Sequence, residues 1–155
     1  WKTVPGEFRA DEVVAGAYAT LLVKYESVSE ARATLEKAIN DGDWSEALVA
    51  QYGRLDAEDP AAQLAVIEKW LLMRPTNAAL LLAAGRTSLR NRLWGKARDY
   101  FEASAGRQAT AETCAELVRL YTRLGETSKA DHYLRRQVEL TGQELPKLPL
   151  PSARV

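Results

Sequence analysis

Histidine, cysteine and methionine occur once each in the 155 residues, as His132, Cys114 and Met73. A lone cysteine excludes an internal disulfide and leaves the redox compartment open. One histidine and one cysteine also leave no recognisable Cys–His couple and no histidine-based metal cluster. Long apolar runs are missing: the longest, residues 78–84, falls far short of the roughly 18 residues that span a bilayer. No net charge exists either, with 21 basic and 21 acidic side chains, so no global field selects nucleic acid or an acidic membrane. Basic residues are not interleaved with aromatics as single-strand binders require. Gly95-Lys96 lacks the glycine-rich approach of a phosphate loop. Asp56, Glu58 and Asp59 fall at a turn and read as capping residues rather than an acid–base pair. Runs of β-branched residues and hairpin turn pairs are absent, so no strand is expected. These gaps remove the common catalytic classes, and the chain reads as a non-enzyme.

What is present is a repeat. Ala31, Ala65, Ala97 and Ala130 recur every 32–34 residues, each in a segment of helical periodicity. That period marks a helical solenoid of tetratricopeptide (TPR) type, a fold that presents surfaces. Eight helices are expected, at about 10–26, 29–40, 44–56, 60–73, 78–91, 93–105, 111–124 and 128–141. Ser27 or Ser29, Asp43, Asp59 (with Pro60 at N1), Asn77, Thr110 and Thr127 are the candidate N-caps. Gly106, Gly125 and Gly142 are candidate left-handed stops, and Pro75 bars continuation of the fourth helix. Short connections force antiparallel neighbours. The expected architecture is all-α: a right-handed α-solenoid of about four TPR-like hairpins. A lead-in covers 1–9, the repeat domain 10–142, and an extended or mobile tail with three prolines 143–155.

Each second helix of such a repeat wants a small residue, a bulky one four later, and a small one three beyond. Ala31-Leu35-Ala38 and Ala97-Phe101-Ser104 fit, while Ala130-Leu134-Gln137 fits the first two places. The second repeat admits two frames. Aligning Tyr52-Gly53 with Ala84-Gly85 makes Ala65 the small residue and puts Lys69 on the bulky place. The frame Gln63-Ile67-Trp70-Pro75 packs better and loses Ala65. Trp44, Trp70 and Trp94 are expected to fill gaps between repeats, and Trp1 either docks on a flanking helix or stays exposed. Cys114 lies on the apolar side of its helix beside Leu117 and Val118 and reads as a small core residue.

Several segments carry a closer likeness: Tyr52-Gly53, Gln63-Leu64, Glu68-Lys69-Trp70-Leu71, Pro75, Leu81-Leu82, Gly85-Arg86, Trp94-Gly95-Lys96-Ala97 with Tyr100, and Leu124-Gly125. Together they resemble the C-terminal TPR region of the bacterial HemY family. That resemblance implies a parent anchored in the inner membrane by N-terminal helices not present here, with this domain soluble and facing the cytoplasm. It also implies a link to late haem biosynthesis, at the level of protoporphyrin and protohaem.

The arginines of the first helices are the sharpest candidates for contact. Arg54, Arg86 and Arg119 recur at 32 and 33 residues, and Arg90 and Arg123 stand one helical turn beyond the last two. In a TPR solenoid the first helices line the concave groove, where guanidiniums would grip carboxylates bidentately. The competing reading is a solvated face with partners such as Glu116. A charge asymmetry accompanies them. Residues 1–77 hold 8 basic and 13 acidic side chains, and residues 78–155 hold 13 and 8. The expected function is a non-catalytic interaction scaffold for protein partners, with no metal and no cofactor. The resemblance points to late haem-pathway enzymes as those partners. The alternative is a haem or porphyrin carrier using the same groove, with His132 as a candidate axial ligand.

Overall fold

Capping chemistry sets the helix boundaries in the computed structural model, which describes Trp1 and residues 3–142. The expectation for residues 143–155 lies outside the described residues. After a 3-10 turn at Gly6–Ala10, eight α-helices follow: α1 Glu12–Lys24, α2 Val28–Asp41, α3 Glu46–Arg54, α4 Pro60–Met73, α5 Ala78–Arg90, α6 Trp94–Arg107, α7 Ala111–Leu124 and α8 Thr127–Thr141. Asp59, Asn77 and Thr110 each accept a backbone N–H at their helix start, as the sequence predicts. Four expectations need correction. Asp11 caps α1, accepting from Val13 and Val14, so that helix starts later than residue 10. Ser45, not Asp43, caps α3 through Leu48 N–H. Glu126 takes the N-cap place of α8, leaving Thr127 as its first helical residue. Gly106 lies inside α6, which runs on to Arg107 and ends at Gln108 in an extended conformation.

The chain divides into two units, Trp1–Ala109 and Thr110–Val155. Within the first, α1–α2 and α5–α6 are antiparallel hairpins, and α3 packs on α5. Three hairpin turns share one geometry. Glu26 (φ 60), Arg92 (φ 58) and Gly125 (φ 76) occupy the left-handed region. The next residue's N–H then reaches back five residues, from Ser27 to Leu22, Leu93 to Ser88, and Glu126 to Tyr121. This is the Schellman closure, which satisfies carbonyls the helix end would orphan.

The α3–α4 connection breaks this pattern and resolves the register of the second repeat. Gln63, Ile67 and Trp70 are buried on α4 while Ala65 is exposed. Ala65 is therefore not the small inward residue. From Gly53 to Gln63 is ten residues, against twelve from Gly85 to Ala97, so counting by period slips two places. α3 stops at Arg54 a turn early, and Leu55 and Ala57 plug the loop as buried side chains. Side chains replace the missing turn. Gln63 Nε2 donates to Tyr52 O at 2.8 Å. Arg90 donates to Gly53 O and Arg54 O, both at 2.9 Å.

The inward stripes are otherwise as the motif requires. Ala31, Leu35 and Ala38 are buried on α2, and Ala97, Phe101 and Ser104 on α6. Gly85 is buried where an added Cβ would strike the Phe101 ring, so its lack of a side chain admits that ring. On α8 only Ala130 is buried; Leu134 stays 47% exposed, since no described element covers that side. Trp70 is buried, edge-on to Tyr52, with its Nε1 donating to Asn40 Oδ1 at 2.8 Å. Trp94 corrects the expectation of core packing. It is the first residue of α6, at the hairpin turn where α5 has already ended, and it is 50% exposed. Trp1 docks by stacking on Tyr18, centroids 4.0 Å apart.

Candidate partner-binding surface

The first helices of the first unit carry equivalent positions on adjacent elements, beginning on α1. From Val13 to Val23 α1 has no charged residue, and it leaves Val13 73% and Leu21 52% exposed. Ala17 is exposed on the same helix, followed on α3 by exposed Ala47 and half-buried Ala50. Arg54 ends α3 and is exposed, and Arg86 is half-buried one turn before the end of α5. Leu21, Arg54 and Arg86 are one repeat apart in turn. The face thus carries exposed apolar side chains on α1 and arginines near the ends of α3 and α5, where the helix dipole favours cations.

Polar contacts fix this face. Gln51 Nε2 donates to Gly16 O at 3.0 Å and to Thr20 Oγ1 at 2.9 Å, tying α3 to α1. Beside them opens a cleft of about 290 Å³ with Val23, Val28 and Leu55 as apolar wall and Arg54 and Asp56 as polar rim. Arg90 lies next to it with both terminal nitrogens on α3 carbonyls and its Nε 3.7 Å from Asp56. It therefore positions the end of α3 and the Arg54 backbone. In the second unit, Arg119 and Arg123 share one face of α7, both exposed, and Arg119 pairs with buried Glu116 at 3.1 Å. The structure thus sets Arg90 on the Arg54 backbone, with Arg86 one helical turn before Arg90 on α5, and sets Arg119 beside the acid expected to offset it.

The remaining candidates have simple surroundings. Cys114 is buried, and burial pushes its thiol up, an effect only partly offset by Arg136. It is held as the thiol rather than the nucleophilic thiolate. His132 is exposed, with its ring edge-on to Tyr133. Among the described residues, no group of three or more His, Cys, Asp or Glu side chains is placed to hold a metal ion. No helix among them is long and apolar enough to cross a membrane.

Two paired sites escaped the sequence reading. Tyr52 OH donates to Glu36 Oε1 at 2.6 Å, and Glu36 also binds Arg32 at 2.7 Å. Tyr100 OH donates to Glu68 Oε1 at 2.8 Å, and Glu68 also binds Lys96. Burial raises the Tyr52 phenol and the carboxylate raises it further; the same causes push Tyr100 up to about 12. Burial pushes Glu68 up, but the hydrogen bonds from Lys96 and Tyr100 outweigh it and hold the carboxyl low. Glu36 and Glu68 are one repeat apart, which is the signal that could have found them.

Solved structures share this fold. Residues 41 to the end of MamA from Desulfovibrio magneticus RS-1 match with a TM-score of 0.63 at 13% identity, covering 88% of this chain and 79% of that one. A second MamA structure, MSR-1 C2, matches with a TM-score of 0.57 at 16% identity, covering 93% of this chain and 84% of that one. No family model matches the chain, and no curated protein does. The chain has a TPR-type α-solenoid fold.

Proposed function

We propose that this chain is a non-catalytic interaction module that binds a protein segment along the first-helix face. One observation carries the reading: the equivalent position on α1, α3 and α5 passes from exposed apolar Leu21 to Arg54 and Arg86. A partner segment with an apolar side and carboxylates would match both parts of that face. In the sequence, Arg119 and Arg123 follow Arg86 and Arg90 by one repeat. Likeness to MamA supports the fold on which such surfaces are built. Late haem-pathway enzymes as partners, and a parent held at the bacterial inner membrane with this domain facing the cytoplasm, rest on the HemY resemblance alone.

The test is co-purification of those enzymes with the intact parent, with and without Arg54→Glu and Arg86→Glu. Binding should weaken in the variant and with rising salt, because exposed charges are screened within about 8–10 Å at physiological ionic strength. Binding indifferent to both would remove the arginines from the interface. Exposed His132 makes the carrier reading testable beside it. A saturable Soret shift on haem addition, lost in His132→Ala, would replace the scaffold with a haem carrier.

A further inference from the structure

A second surface lies away from the first-helix face, along the turns between repeats. Trp44, Arg74, Thr76, Asn77 and Arg107 line a polar cleft of about 560 Å³. All belong to the first unit. Arg74 is the C-cap of α4 and Arg107 the last residue of α6, so the two guanidiniums come from successive inter-repeat turns. Arg74 lies over the Trp44 ring, its Cζ 4.2 Å from the centroid. A guanidinium held over an aromatic ring keeps N–H donors available to carboxylates, which can bind it bidentately. No carboxylate pairs with Arg74 or Arg107 among the described residues. The one acid in the cleft, Glu46, accepts from Asn77 Nδ2 at 2.7 Å. The N-terminus of α5, at Asn77 and Ala78, adds the positive end of a helix dipole.

We propose that this cleft binds an extended acidic peptide segment, with Arg74 and Arg107 each taking a carboxylate. Both arginines line the one cleft from successive repeats. An extended chain, rising roughly 3.3 Å per residue, can carry acidic side chains to both guanidiniums at once. The proposal is independent of the first-helix reading, since none of Arg54, Arg86 or Arg90 lines this cleft.

The intact chain reports on the site through Trp44. Titration with an acidic peptide of mixed glutamate and aspartate should change tryptophan emission saturably, with affinity falling at least tenfold between low and high salt. Trp44→Phe should remove the emission change, which assigns the signal to this cleft. Arg74→Gln with Arg107→Gln should weaken binding by tenfold or more with the far-UV spectrum unchanged. Arg54→Glu with Arg86→Glu should leave the saturable Trp44 emission change in place, since neither residue lines this cleft. Inorganic phosphate and a basic peptide of equal length are the controls. Phosphate binding as tight as the peptide would make this a free-anion site and overturn the proposal. So would peptide binding that survives the double glutamine variant, or no saturable change at all.

Discussion

Glycine has opposite consequences at different places in this chain. A Cβ at Gly53 would lie 2.6 Å from the Ala83 Cβ and 2.8 Å from its Cα, and backbone atoms cannot step aside. Gly53→Ala should therefore destabilise by about 1–3 kcal/mol, the cost of overpacking a close contact. Gly95 and Gly106 lie within α6 with open space around the added atom. Alanine there should stabilise by roughly 0.5–1 kcal/mol through lower unfolded-state entropy. Urea midpoints of the three variants should move in these opposite directions. Tyr100 sets a pH limit. Its phenol is raised from 10.0 to about 12 by burial and by Glu68, so the folded state holds that proton more tightly than the unfolded chain. Its contribution is complete below pH 10 and is lost as pH rises towards 12. The wild-type urea midpoint should fall across that interval by more than that of Tyr100→Phe. Equal falls would show that other groups control alkaline unfolding.

Among the helices, α3 depends most on its neighbours. It has 9 residues where α5 has 13, and its terminal carbonyls are met by Gln63 and Arg90. Arg90→Ala should cost about 1–3 kcal/mol, the range for losing hydrogen bonds from a charged donor, towards the low end because the group is partly solvated. Hydrogen exchange should speed at the end of α3 more than within α5. The α5–α6 hairpin follows the simple rule. Ala97 is fully buried against its partner helix, and Ala97→Leu should overpack by about 1–3 kcal/mol, read as a lower midpoint. Caps at Asp59, Asn77 and Thr110 and the stop at Gly125 were legible because each is a local rule written in adjacent residues. The register of α4 was not. It follows from a connection two residues shorter and from a glutamine reaching a carbonyl eleven residues back, and neither leaves a periodic trace. Trp94 misled for a related reason: it fits the stripe, but the hairpin turn ends its partner first.

The whole molecule combines zero net charge with a sign change along its length, 8 basic and 13 acidic residues over 1–77 against 13 and 8 over 78–155. Copies should therefore attract one another most at low salt and near the pI of about 6.8. Light scattering should show attraction that weakens as salt is added. Attraction that strengthens with salt would instead assign self-association to the exposed apolar side chains of α1 and α8. The fold was legible at this scale because the repeat states it four times. The candidate surfaces were legible only in part. Periodicity located Arg54 and Arg86 on the first helices, but the role of Arg90 depends on carbonyls freed by an early helix end. The Arg74–Trp44 stack joins residues thirty positions apart whose contact no local pattern announces.

The dependence of α3 on Arg90 bears on how such arrays grow. Repeat proteins lengthen when a unit is copied and inserted, which is tolerated where each unit closes its own ends. Here the second repeat is finished by a side chain from the third. A duplicate placed between them would separate Gly53 and Arg54 from Arg90 unless it brought its own arginine at the equivalent place. A copy of the third repeat would bring Arg90 with it, whereas a copy of the second, with Glu58 at that place, would leave the α3 carbonyls before it unmet.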